Sequence, residues 1–257
     1  MKKIGYIVIW LILGGYLAVI LGFVSKEEDQ LCCTGVKIII HDSLNLQFVN
    51  EDMLIRLMQS TANDLTGEAL RDIDLQEIEN RIHSLRAVKS AEVYFTVQGE
   101  LVMEVYQRKP VVRIIDRAGQ SFYIDEEGYI MPTSRNFCSH VLVVNGRISE
   151  ECRKAKSTME QGRGMDLLRD IFKMATYITN DEFWNVQVMQ IYINEKQEFE
   201  LIPRVGAHII EFGPADDIET KFEKLWILYD EGFRNTGWNQ YDRINLKYKN
   251  QVVCTKR

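Results

Sequence analysis

Beyond residue 25, polar and apolar positions interleave with two different periods. From Ile4 to Val24, by contrast, no residue is charged, and thirteen positions are Leu, Ile, Val or Phe. An α-helix rises about 1.5 Å per residue, so this run matches the ~30 Å apolar thickness of a bilayer and predicts a transmembrane helix over 4–24. Lys2 and Lys3 precede the run and Ser25-Lys26-Glu27-Glu28-Asp29 follow it. Positive-inside bias then leaves residues 1–3 cytoplasmic and the bulk of the chain outside. A cleaved signal peptide has a shorter apolar stretch, about 7–15 residues, and a small-residue cleavage site, so a retained anchor is expected. Gly14, Ala18 and Gly22 recur every fourth residue, a stripe suited to packing another transmembrane helix.

A linker over 25–35 leads into alternating structure. Val36 to Ile40 reads as a β-branched strand, and Asn50 as the N-cap of a helix bearing Met53, Leu54, Leu57 and Met58. A second helix starts at Asp74 with Glu77 three residues on, as in a capping box, and buries Leu75, Ile78, Ile82 and Leu85. Val93, Phe95 and Val97 alternate up to the Gln98-Gly99 turn, and Leu101, Met103 and Val105 alternate after it. The order strand, helix, helix, strand, strand ends at Pro110, which cannot donate to a central ladder and marks a seam. The predicted domains are therefore 36–109 and 110–257.

Past the seam, short strands over 111–115, 120–124, 129–131 and 141–144 precede a polar stretch from Gly146 to Gly164. A helix carries Leu167, Leu168, Ile171, Phe172, Ala175 and Ile178; strands follow over 186–193, 198–202 and 208–212. Asp216 with Glu219 opens another helix, and Ile244, Leu246 and Tyr248 alternate in a half-buried closing strand to Lys249. The fold class is α+β, with a transmembrane helix, a β-α-α-β-β module and a mostly antiparallel β domain with a few helices.

Net charge is −6 overall and −8 beyond residue 24, which argues against a nucleic-acid partner and against docking on anionic lipid. Cys32, Cys33, Cys138, Cys152 and Cys254 are odd in number. Cys138 and Cys152 could meet across a hairpin, or all five could be unpaired thiols. His41, His83, His140 and His208 are dispersed, with no cysteine at zinc-ligand spacing. No G-x-S-x-G elbow is present, and Gly162-Arg-Gly164 is too short for a phosphate loop. Asp125-Glu126-Glu127 ends in Gly128 between two short strands, which predicts a hairpin turn rather than a calcium loop. Nothing in these residues argues for an enzyme, a cofactor, a metal or a small-molecule substrate.

The succession Ile78-Glu-Asn-Arg-Ile-His-Ser-Leu85, Val88-Lys-Ser-Ala-Glu-Val93 and Leu101-Val-Met-Glu-Val105-Tyr-Gln-Arg108-Lys-Pro110 resembles a membrane-proximal POTRA module. With Gly119-Gln-Ser-Phe-Tyr-Ile-Asp125, Gly128-Tyr-Ile-Met-Pro132 and the closing strand Ile244-Asn-Leu246-Lys-Tyr248, the chain resembles the FtsQ/DivIB family of bacterial cell-division proteins. Two positions depart from that pattern: Gln107 stands where the family usually has Glu, and Asn245 where Asp is common. The resemblance implies a non-enzymatic divisome scaffold of the cell inner membrane, its bulk periplasmic, at the division septum. It would bridge early and late division components and control septal peptidoglycan synthesis by binding an FtsB/FtsL-like complex. It also implies partner-binding positions at Asn250 and Gln251, though the residue types differ here. The closing edge strand itself adds Tyr248, an aromatic with a polar tip, and Lys247, with Lys247 and Lys249 favouring an acidic partner segment. A POTRA-bearing envelope transport or assembly factor, and a membrane-anchored periplasmic hydrolase, are the alternative readings.

Overall fold

A computed structural model describes residues 10, 12–17, 31–41, 46–59, 65–135 and 137–257. Residues 10 and 12–17 are helical; the rest of the predicted span over 4–24 lies outside the described residues. Among the described residues no helix is long and apolar enough to cross a membrane. The chain divides into two units, the first containing residues 49–107 together with 1–44, the second 108–257 together with 45–48.

In the first unit the chain runs β1 (Gly35–His41), α1 (Glu51–Gln59), a 3₁₀ turn (Leu70–Asp72), α2 (Leu75–His83), β2 (Val88–Phe95) and β3 (Glu100–Gln107). The sheet order is β1-β3-β2. Strands β2 and β3 form an antiparallel hairpin, whereas β1 pairs with β3 in parallel, because the helices between β1 and β2 carry the chain back to the same end of the sheet. The helix starts follow from local side-chain chemistry. Asn50 Oδ1 accepts from Met53 N–H at 2.8 Å and Asp74 Oδ1 from Glu77 N–H at 3.0 Å, satisfying donors that a first turn otherwise leaves free. Leu54, Ile78 and Ile82 are buried. Leu85 differs from the expectation: α2 ends at His83 with Ser84 as C-cap, so Leu85 lies past the helix and is only half-buried.

Gln107 explains its own identity. It is buried, and its side-chain oxygen accepts Val49 N–H at 2.9 Å. A neutral amide makes that bond without the desolvation cost of a buried carboxylate.

The second unit is a nine-stranded sheet in the order β12-β11-β10-β9-β8-β7-β4-β5-β6. Its strands are β4 (Pro110–Ile115), β5 (Ser121–Asp125), β6 (Ile130–Pro132), β7 (Leu142–Gly146), β8 (Val188–Ile193), β9 (Phe199–Pro203), β10 (Ile209–Gly213), β11 (Tyr241–Asn245) and β12 (Val253–Lys256). Five of its eight strand pairs are antiparallel, as the expected mostly antiparallel domain requires, but the sheet is mixed, with β4–β7, β7–β8 and β10–β11 parallel. Two of these pairs are joined by helical crossovers, which return a chain in the direction it left. Helices α3 (Met165–Asn180) and α4 (Glu182–Gln187) link β7 to β8, and α5 (Ile218–Ile227) with α6 (Phe233–Thr236) link β10 to β11. Crossing β7 and β8 demands a close approach at Gly146, where a Cβ would lie 2.2 Å from the Ile193 carbonyl oxygen.

The core forms where the α3 stripe, Leu168, Ile171, Ala175 and Ile178, meets Val144, Ile191, Leu201, Phe212 and Ile244, with Phe222 of α5 closing it. Tyr177 stacks on Phe222 with ring centroids 4.8 Å apart, so the two helices are neighbours. The strand expected over 186–193 begins only at Val188. Asp181 Oδ1 accepts from Phe183 and Trp184 N–H at 2.9 and 2.8 Å, and that cap starts α4 instead.

The 125–128 segment is a hairpin turn: Gly128 has φ +83° and donates to Asp125 O at 3.1 Å. Asp125 Oδ1 accepts the N–H groups of Glu127 and Tyr129, while Oδ2 pairs with Arg108 at 2.7 Å. The Arg108 guanidinium also lies 4.0 Å over the Tyr129 ring. None of the five cysteines is in a disulfide; Cys138 is exposed and Cys152 is buried.

Candidate partner-binding edge

The end of the chain builds the edge of the large sheet. Strand β11 lies between β10, which it parallels, and β12, which runs antiparallel to it. Among the described residues β12 has β11 as its one neighbour, so its outer row of N–H and C=O groups is an open template for another strand. Ile244 is fully buried and pairs with Ile210 on one side and Cys254 on the other.

The closing strand is shorter than its alternation suggests. It stops at Asn245, and residues 246–252 form the connection to β12. Leu246 remains buried and donates to Glu211 O at 3.0 Å. Beyond it, Asn245 Oδ1 accepts Lys247 N–H at 3.0 Å, and this local side-chain bond turns the chain out of the ladder.

Glu211 organises the base of the turn. One carboxylate oxygen takes Arg243 at 2.6 Å and the other takes the Asn245 amide at 2.8 Å. An Asp at 245 would face that carboxylate with no donor to offer, which accounts for the carboxamide. The bond to Glu211 holds the Arg243 guanidinium above its usual range.

Four lysines surround the turn with different degrees of freedom. Lys247 Nζ pairs with Glu198 at 2.8 Å, a contact that raises the Lys247 pKa and lowers that of Glu198. Lys224 Nζ donates to the Leu246 and Tyr248 carbonyls at 3.2 and 2.7 Å, and burial pulls its pKa down. Lys221 pairs with Asp216 and donates to Pro214 O at 2.8 Å. Lys249 is exposed, as are Asn250 and Gln251. A recess of about 330 Å³ opens between α5 and the turn, bordered by Lys221, Lys224, Tyr248 and Lys249.

The expected residues thus gather in one turn beside β12. Tyr248 is 51 % exposed, while the Lys247 ammonium is already held by Glu198. Sequence reading missed Lys221 and Lys224, although their i, i+3 spacing on one helix face was a usable signal, and it missed that the edge is made by Val253–Lys256. Of the small-residue stripe, Gly14 is helical with open space around it. Ala18 and Gly22 lie outside the described residues. No group of His, Cys, Asp and Glu that could hold a metal occurs among the described residues.

A three-stranded β-α-α-β-β module followed by a mixed sheet with an open C-terminal strand defines a class, the POTRA-bearing proteins with an appended β domain. The family model for the POTRA-like domain matches residues 31–106, and the one described as FtsQ/DivIB, C-terminal related, matches residues 109–255. The chain belongs to the FtsQ/DivIB family. It is similar to the cell division protein FtsQ of Rhodothermus marinus, with 25 % identity over 199 residues, covering 73 % of this chain and 67 % of that protein.

Proposed function

We propose that this chain is a non-enzymatic divisome scaffold that binds an FtsB/FtsL-like complex through β12 and the adjoining 246–252 turn. Anchored by residues 4–24 in the inner membrane with its bulk in the periplasm, it links early and late division proteins at the septum and controls septal peptidoglycan synthesis. Family membership supports a role in cell division. The observation that carries the binding mode is the open edge of β12 beside a largely exposed Tyr248.

Strand addition to such an edge supplies backbone hydrogen bonds of about 0.5–1.5 kcal/mol net each. Four residues of β12 cannot supply specificity that way, so side chains must. Tyr248 combines a large apolar ring with a polar tip, a combination suited to an anchor at a half-wet interface. Lysines at 224 and 249 beside the recess favour an acidic partner segment, Lys221 being buried and held by Asp216.

The test is a pull-down of the FtsB-like partner by full-length chain, Tyr248→Ala, and a chain ending at Val252. Truncation before Ile244 would remove core residues Ile244 and Leu246 and unfold the sheet, whereas ending at Val252 removes the edge strand alone. Tyr248→Ala is expected to weaken binding about tenfold or more, and loss of β12 to abolish it. Normal binding by a folded chain lacking β12 would place the interface elsewhere.

A further inference from the structure

Helix α5 carries opposite chemistry on its two sides. Lys221 and Lys224 face the 246–250 turn, whereas Phe222, Glu223, Trp226 and Ile227 border a separate recess of about 710 Å³, closed by Tyr177 and by the start of α4. Its floor is already sealed, because Trp184 and Phe222 are buried with ring centroids 4.9 Å apart. Above that floor, Phe183, Trp226 and Ile227 remain 37 %, 46 % and 55 % exposed, with Phe183 set edge-on to Trp226 at 4.7 Å. Phe183 and Trp226 pack their inner faces on Trp184, and the apolar surface that the three leave open is of the aromatic kind that carries binding hot spots.

The rim decides what fits. Asp181, Glu182 and Glu223 line it, and no lysine or arginine does. Asp181 uses Oδ1 to cap α4. Glu182 and Glu223 make no ion pair among the described residues. The Tyr177 phenol, at the edge of the recess, reports the same field: burial raises its pKa, and Asp181, Glu219 and Glu223 raise it further with no cation opposing them.

The geometry points to a second docking surface, in which the Trp226–Phe183 groove receives a protein segment carrying an arginine or lysine flanked by apolar side chains. A guanidinium laid on the Trp226 indole face gains a cation–π contact while reaching Glu223 or Glu182. Its apolar neighbours cover Phe183 and Ile227. A second copy of this chain is a poor occupant, since a two-fold contact would press one acidic rim against another. An anionic lipid surface is repelled for the same reason. The inference stands independently of the β12 reading, which calls for a partner segment of opposite charge on the other side of the helix.

The test uses full-length chain in nonionic detergent and a fluorescein-labelled, tryptophan-free amphipathic peptide of leucine and arginine. Its control is the same peptide with glutamate replacing arginine. Anisotropy is expected to show salt-sensitive binding of the arginine peptide and none of the glutamate peptide. Trp226→Ala, which loses ring contacts with Phe183 and Trp184 but leaves the buried core residues in place, and the surface change Glu223→Lys, both checked for cooperative unfolding, should each weaken it about tenfold or more. Equal binding of both peptides, or arginine-peptide binding untouched by both substitutions, overturns the proposal. So does sedimentation showing a self-associated wild type that Trp226→Ala renders monomeric, which would make a second copy the occupant.

Discussion

His208 is buried, with Nε2 2.9 Å from the Tyr229 hydroxyl. Burial, with a smaller push from the Arg257 charge, pulls its pKa from 6.5 to about 4. The folded chain therefore keeps this imidazole neutral where the unfolded chain protonates it. Because the unfolded state then binds more protons, stability contributed by His208 is complete above 6.5 and is lost as pH falls towards 4. Each pH unit across that window is worth up to about 1.4 kcal/mol, so the loss from pH 6.5 to about pH 5 is at most about 2 kcal/mol. Urea unfolding across this range should show it. His208→Leu should be less stable at neutral pH, since Tyr229 loses a partner, yet depend less on pH over the same interval. An unchanged slope in that variant would show that the imidazole is not the titrating group. Nothing in the sequence around His208 marks it as buried; the aromatic surroundings of Tyr229, Phe233 and Trp238 assemble only when β10 meets the α5–α6 region.

At the scale of elements, caps and alternation carried most of the information. Asn50 and Asp74 start their helices as their residue types require, and the 98–99 turn joins two alternating strands as expected. The failures occur where a local bond cuts a pattern short. Alternation through Ile244, Leu246 and Tyr248 suggests one long strand, but Asn245 turns the chain after its own position and only Leu246 of the next few residues remains in the core. Likewise, Ser84 ends α2 by donating its hydroxyl to Arg81 O at 2.6 Å, which leaves Leu85 beyond the helix. This separates two substitutions that periodicity would treat alike. Ile82→Ala, at a fully buried position, should cost about 2–5 kcal/mol, and Leu85→Ala distinctly less. Chemical denaturation of the two variants checks the ranking, and equal losses would mean that Leu85 is packed as a core residue.

For the whole molecule, the proposed anchor over 4–24 has a direct consequence. A fusion at Arg257 to alkaline phosphatase should be active, and one to a reporter that works only in the cytoplasm should be silent. The reverse pattern would remove the periplasmic partners from consideration along with the anchor. The charge distribution works at this scale too. A chain that is −8 beyond residue 24 nevertheless gathers Lys221, Lys224, Lys247 and Lys249 around one turn and leaves an uncompensated acidic rim on the other side of the same helix. Net charge alone predicts neither patch, because each draws on residues from separate stretches of chain.

By itself the sequence determined what depends on neighbours within about a helical turn or a hairpin: the β-α-α-β-β order, the caps at Asn50 and Asp74, the 125–128 turn and the α+β class. It did not determine the start of α5, where Asp217 and not Asp216 is the N-cap and makes no side-chain bond. The family resemblance was legible for the same reason, being carried by the order of such local signals. Only the tertiary structure decided the direction in which strands pair, since the period of a strand is two whether its neighbour runs parallel or antiparallel. It also decided that β12 is the edge, that Glu211 and Glu198 occupy Arg243, Asn245 and Lys247, and that Trp226 and Phe183 meet across an acidic groove. Those contacts join residues tens of positions apart, whose distances are set by how sheets and helices pack and by no pattern within either segment.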